Sequence, residues 1–185
     1  MVGSSIYKLL KKKNFQIIEC KRKDLDFTNQ MSVDRWFKKY KPNIVINAAG
    51  KVGGILDNKT FQSEYIFINS MIGLNITNCS MKYNVEKLIN LGSACIYPKK
   101  TNQPIKETAL LSSYLEQTNE GYALAKIISL KYSQHLKRKY KKDFISLMPA
   151  NLYGKGDNFD LKSSHVLPAL VKKFTLAKIR NIPYV

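Results

Sequence analysis

Val2, Ile6, Leu9 and Leu10 recur at helical spacing through a polar opening, and the run Lys11-Lys12-Lys13 behind them suits the negative end of a helix dipole. The period then changes. Residues 15–19, beginning at Phe15, read as a short strand and residues 33–40 as a second helix, which Pro42 stops before a strand at 43–47. Apolar positions at Ile66, Ile68, Ile72, Leu74 and Ile76 predict a largely buried helix over 65–81, followed by a strand at 87–91. After a long polar stretch, Leu124, Ile127, Ile128, Leu130 and Leu136 mark a helix over 122–140. A strand at 144–148 and a last helix at 166–179 complete the series.

Strands that alternate with helices in this way predict an α/β fold, a doubly wound parallel sheet with helices on both faces, over residues 1–185 as one domain. Such sheets bind ligands at the carboxyl ends of their strands. Chemistry is therefore expected just after Asn47, Leu91 and Met148. There the chain reads Ala48-Ala-Gly-Lys-Val-Gly-Gly-Ile55, Gly92-Ser-Ala-Cys-Ile-Tyr-Pro98 and Pro149-Ala-Asn-Leu-Tyr-Gly154. Small residues let a backbone approach a ligand, although glycine-rich strand ends also serve turning alone.

Composition narrows the class. With 185 residues, 44% of them hydrophobic, a single domain with a real core is expected, and no apolar run approaches the ~20 residues of a membrane span. The opening Met1-Val-Gly-Ser-Ser lacks the basic start and apolar stretch of a secretory signal, so a cytoplasmic setting is the expectation. Cys20, Cys79 and Cys95 have no C-x-x-C spacing, which argues against a metal site or a disulfide framework. The formal charge of +18 raises the question of a nucleic-acid partner. Yet only four of the 31 cationic residues are Arg, and the lysines are spread along the chain, as on a solvated surface. A basic binding module thus stays as a minor alternative.

Tyr122 and Lys126 stand one helical turn apart, so both side chains share a face and the ammonium is expected to lower the phenol's pKa. Tyr7/Lys11 and Tyr83/Lys87 have the same spacing. Only Tyr122/Lys126 opens a helix after a strand-end serine, Ser93, and that position selects it.

The Ser93…Tyr122-x-x-x-Lys126 arrangement resembles the extended short-chain dehydrogenase/reductase superfamily of nucleotide-sugar enzymes. Lys51-Val-Gly-Gly-Ile55, Gly92-Ser-Ala-Cys-Ile-Tyr-Pro98, Pro149-Ala-Asn-Leu-Tyr-Gly154 with Asp157-Asn-Phe159, and Ser164-His-Val-Leu-Pro-Ala169 resemble, within it, the GDP-L-fucose synthase family. The resemblance implies a Rossmann-like sheet, NADP as cofactor, a GDP-sugar substrate and a homodimer built on the long helices that end near Met81 and Tyr140. It implies catalytic roles for Ser93, Cys95, Tyr122, Lys126 and His165, with Cys95 and His165 exchanging protons and Tyr122 protonating a carbonyl oxygen. Cofactor contacts would fall at Met1, Val2, Gly3, Leu91, Gly92, Ser93, Ala94, Lys126, Pro149, Ala150, Asn151, Leu152 and His165, and a substrate contact at Lys173.

Departures carry their own expectations. Met1-Val-Gly3 matches only the tail of the family's glycine-rich turn, and the chain stops at Val185, so the first strand and the substrate region are expected to be lacking and this piece to be inactive alone. The lost first strand is expected between the strands near Phe15 and Lys87. Lys172-Lys173 stands where the family shows an Arg pair, which keeps charge without the bidentate fork. Cys20-Lys-Arg-Lys23 is cationic where an NAD binder is expected to carry an acid, which favours a 2'-phosphate. Another nucleotide-sugar epimerase or dehydratase would keep Ser93, Tyr122 and Lys126 but has no use for Cys95 and His165.

Overall fold

The computed structural model describes residues 1–183. Its centre is a parallel sheet of three strands, β1 (Ile44–Asn47), β2 (Lys87–Leu91) and β3 (Asp143–Leu147), in that spatial order. Ile44 lies opposite Lys87 and Lys87 opposite Asp143, so all three strands start in one layer and finish together at Asn47, Leu91 and Leu147. That common carboxyl edge is where the sequence places its loops.

Six helices connect and cover the strands: α1 (Val2–Lys11), α2 (Gln30–Tyr40), α3 (Ile55–Thr60), α4 (Gln62–Lys82), α5 (Glu120–Tyr140) and α6 (Val166–Ile179). The Asn29 side chain caps α2 by accepting from the Ser32 N–H at 3.0 Å, and Lys41 ends that helix in the left-handed region, φ 43°, ahead of Pro42. Helices α4 and α5 pack side by side. At their crossing Gly73 leaves room for Ser129, whose hydroxyl occupies the space a Cβ at position 73 would need.

Beneath α2, α4 and α5 lies the main core, in which Val33, Phe37, Ile72, Ile76, Val85, Leu88 and Phe144 are buried together. Burial of such side chains contributes roughly 1.5–3 kcal/mol each before entropy is counted. A second cluster, Ile96, Leu115, Ala123, Ile127 and Leu130, sits under the loop that follows β2 and fixes α5 against it. Between the two, Asn47 donates to Asn90 at 3.0 Å, and Asn90 donates to Ser133 at 2.9 Å and Thr77 at 3.3 Å, so these buried amides are paired across the sheet and onto both long helices.

The structure corrects four expectations. Residues 15–19 form no strand; Phe15 is 56% and Ile18 39% exposed. A strand needs a partner, and among the described residues none lies along the outer edge of β1. The strand near Lys87 is flanked on one side by β1 and on the other by β3, so no further strand fits beside it. Among the described residues the open edges belong to β1 and β3. Coverage of the two faces is unequal: Leu88 and Phe144 are buried under the long helices, whereas Ile46, Ile89 and Ile145 on the other face are half-buried. Finally, α3 is a helix that the pattern does not predict, being six residues long and polar. Among the described residues no helix is long and apolar enough to cross a membrane.

Candidate active site

Four loops meet at the carboxyl edge of the sheet. Behind β1, Asn69 on α4 grips the backbone of Lys51 from both sides, accepting from its N–H at 2.8 Å and donating to its carbonyl at 3.1 Å. Tyr65, one turn earlier, is fully buried and donates its hydroxyl to Asp57 on α3. A Cβ on Gly53 would overlap both of those groups, so glycine is required there by close approach. The N–H of Gly54 donates to the Ser163 carbonyl at 2.8 Å, which docks the segment before α6 onto this loop.

Behind β2, Ser93 caps a short turn, Ala94–Ile96, by accepting from the Cys95 N–H at 3.3 Å. The Ala94 N–H donates to the Pro149 carbonyl behind β3 at 3.3 Å and joins the two strand-end loops. Gly92 lies against the side chain of Met148, which leaves no room for a larger residue. At the other end of the chain, Gly3 in the first turn of α1 would place a Cβ 3.5 Å from that of Ala48, and Met1 lies beside Gly154. The start of α1 therefore joins the same edge, with no acidic residue in its first turn and no side-chain cap on its N–H groups.

Tyr122 and Lys126 enter this space from the first turns of α5. The Lys126 ammonium donates to the Leu91 carbonyl at 2.9 Å and stands 5.6 Å from the centroid of the Tyr122 ring. Burial lowers its pKa from the ordinary 10.5 to about 8. Tyr122 is pushed up to about 12, first by burial and then by the charge of Cys95, with the Ser93 hydroxyl opposing them. The expected lowering of the phenol by Lys126 is thus reversed, because desolvation outweighs a cation whose hydrogen bond goes elsewhere. A phenol held neutral is a proton donor, not a base. Tyr65 meets the ring of Tyr122 edge to face, with centroids 6.1 Å apart.

Ser93, Cys95, Tyr122 and Lys126 are therefore neighbours, as their motif predicts. His165 caps the start of α6 and is exposed; among the described residues its imidazole makes no side-chain hydrogen bond to that group. Lys173 is exposed on α6. Ala150, Asn151 and Leu152 are exposed in the loop after β3. Sequence reasoning overlooks Asn69, Gln62 and Asn119. Asn69 breaks an apolar helical pattern, which is a legible signal for a buried polar role; Gln62 and Asn119 look like ordinary helix-end residues.

A family model described as the NAD dependent epimerase/dehydratase family matches residues 1–185. The chain belongs to that family. Among curated members, GDP-L-fucose synthase of Sinorhizobium fredii is 48% identical over 182 residues, 98% of this chain and 58% of the relative. GDP-L-fucose synthase 1 of Arabidopsis thaliana is 46% identical over 98% of this chain and 56% of its own. A GDP-L-fucose synthetase from Naegleria fowleri bound to NADP superposes with a TM-score of 0.87 at 29% identity, over 99% of this chain and 61% of that one. The epimerase/dehydratase chain described here thus spans somewhat over half the length of the relatives it matches.

Proposed function

We propose that this chain forms the cofactor-binding and catalytic part of a GDP-L-fucose synthase, an NADPH-dependent 3,5-epimerase and 4-reductase of GDP-4-keto-6-deoxy-D-mannose. The observation that carries the reading is the placement of Cys95 within the short turn that Ser93 caps, at the same strand end as a Tyr122 phenol that is kept protonated. Reduction alone needs Ser93, Tyr122 and Lys126; a thiol in the turn that Ser93 caps adds a second proton-exchanging group at this edge. Identity of 45–48% to relatives named GDP-L-fucose synthase supports the same choice.

The residues present suit a nicotinamide dinucleotide. The uncapped N–H groups at the start of α1, in whose first turn Gly3 lies, suit a pyrophosphate. Arg22 donates to the Gly50 carbonyl at 3.1 Å, which holds a cation at this edge for a 2'-phosphate. Glu19, the acid that would favour a free 2'-hydroxyl, is instead paired with Lys21 at 3.0 Å. When bound, NADPH supplies a hydride to carbon 4 of the sugar. Tyr122 gives its proton to the carbonyl oxygen there, oriented by Ser93, and Lys126 replenishes it from a pKa close to working pH. Cys95 and His165 take and return protons at carbons 3 and 5, and Lys173 meets the substrate's phosphates. Exposed Phe67 on α4 and Ile128 on α5 support a homodimer through the long helices.

The test joins this chain to the segments of the Sinorhizobium fredii relative that lie outside the match, then supplies GDP-4-keto-6-deoxymannose and NADPH. GDP-fucose is the expected product. Reduction without inversion at carbons 3 and 5 would favour another nucleotide-sugar reductase of the family.

A further inference from the structure

Asn119 occupies the position before the first residue of α5, where an asparagine ordinarily folds its side-chain oxygen back onto the helix's free N–H groups. It does not do so here. Its amide Nδ2 instead donates to the sulfur of Cys95 at 3.3 Å, while its Oδ1 is buried without a partner. A buried amide oxygen left unpaired costs about 1–3 kcal/mol, so this orientation needs a compensating interaction.

The surroundings are built to leave that amide free. Gln62, at the start of α4, takes over the capping: its Oε1 accepts from the Gly121 N–H at 3.0 Å and its Nε2 donates to the Gln117 carbonyl at 2.9 Å. On the other side Glu116 accepts from the Thr118 N–H at 3.3 Å and is itself paired with Lys99 at 2.7 Å. The turn that carries Asn119 is thus fixed from both flanks without using the Asn119 side chain. Cys95 is fixed as well, since its own N–H is tied to Ser93. Donor and sulfur are held by separate supports, so their approach is imposed by the fold.

We propose that Asn119 is the positioning residue for Cys95, its amide N–H stabilising and aiming the thiolate when that sulfur exchanges a proton with substrate. This rests on the reading of Cys95 as a proton-exchanging group. A hydrogen bond to an ionised acceptor is roughly twice as strong as one to a neutral acceptor, so the contact gains strength when the thiol loses its proton. Such a bond raises the share of the reactive form near neutral pH.

The test measures iodoacetamide alkylation of Cys95 at pH 7 in the 185-residue chain, resolved by peptide mass spectrometry, with Cys20 as internal reference. Asn119→Ala is expected to slow Cys95 by about threefold to tenfold and leave Cys20 unchanged. A capping role predicts the opposite, because a frayed helix start would expose the thiol and speed its alkylation. Asn119→Asp separates the two further: aspartate caps a helix as well as asparagine does, but it offers no donor and repels a thiolate. It is expected to be at least as slow as the alanine variant. Wild-type or faster alkylation in Asn119→Ala, or recovery to the wild-type rate in Asn119→Asp, would overturn the proposal. Because the readout needs no sugar, slowed alkylation upholds the pairing even if Cys95→Ser retains isotope exchange at carbons 3 and 5, a result that would remove the catalytic reading alone.

Discussion

The Lys126 ammonium lies 5.6 Å from the centre of the Tyr122 ring and gives its hydrogen bond to the Leu91 carbonyl, 2.9 Å away, instead of to the phenol. The two side chains share a helix face, yet their proton affinities are set separately, each by burial. Lysine is pulled toward its neutral form and tyrosine is held in its neutral form. A proton donor and a group that titrates near working pH thus stand side by side without forming an ion pair.

Stability should report the buried lysine. The folded chain releases this proton near pH 8, whereas the unfolded chain keeps it to about 10.5, so between those values the unfolded state binds more protons and stability rises with pH. Below pH 8 the buried charge is a full penalty. Lys126→Met should therefore stabilise the chain at pH 7 by about 2–3 kcal/mol, and the gain should shrink as pH climbs from 8 toward 10. Urea unfolding of both proteins at pH 7, 8.5 and 9.5 measures this. A stability difference that stays constant across that range would contradict the burial of the ammonium.

The α4–α5 crossing makes a second claim. Alanine favours a helix over glycine by about 1 kcal/mol, but a Cβ at position 73 would lie 2.8 Å from the Ser129 Cβ and overlap its hydroxyl. Gly73→Ala should accordingly destabilise by about 1–3 kcal/mol, and adding Ser129→Gly should recover most of that loss. Denaturant melts of the two single variants and the double variant form the cycle. Strictly additive effects would mean that the helices do not meet at this pair.

Much of this arrangement is legible in the sequence, and the misreadings have physical causes. The strand at 87–91 and the helix at 166–179 match β2 and α6 residue for residue: Leu88 is buried within β2, whereas α6 keeps its predicted bounds although Val166, Phe174 and Ile179 are exposed. Residues 15–19 carry a comparable signal, yet a strand is a relation between two segments, and among the described residues Phe15 has no strand to pair with. The Tyr122/Lys126 pair is visible from spacing and position. The direction of the phenol's shift is not, since it depends first on how deeply the ring is buried and then on the charge of Cys95. Asn119 is illegible for a different reason: an asparagine before a helix reads as a cap, whereas in the fold Gln62, 57 residues earlier in the chain, accepts from the Gly121 N–H instead.

The proposed function separates proton exchange at the sugar carbons, assigned to Cys95 and His165, from proton delivery to the carbonyl oxygen, assigned to Tyr122. Its most direct test is Tyr122→Phe in the chain joined to the outer segments of the Sinorhizobium fredii relative, incubated with the keto sugar and NADPH in deuterated water. The account predicts deuterium at carbons 3 and 5 of recovered keto sugar at close to the wild-type rate, with reduction slowed by roughly 10²-fold or more. Reduction within about tenfold of wild type, where general-acid assistance is worth ~10²–10⁴, or loss of both reactions together, would contradict it.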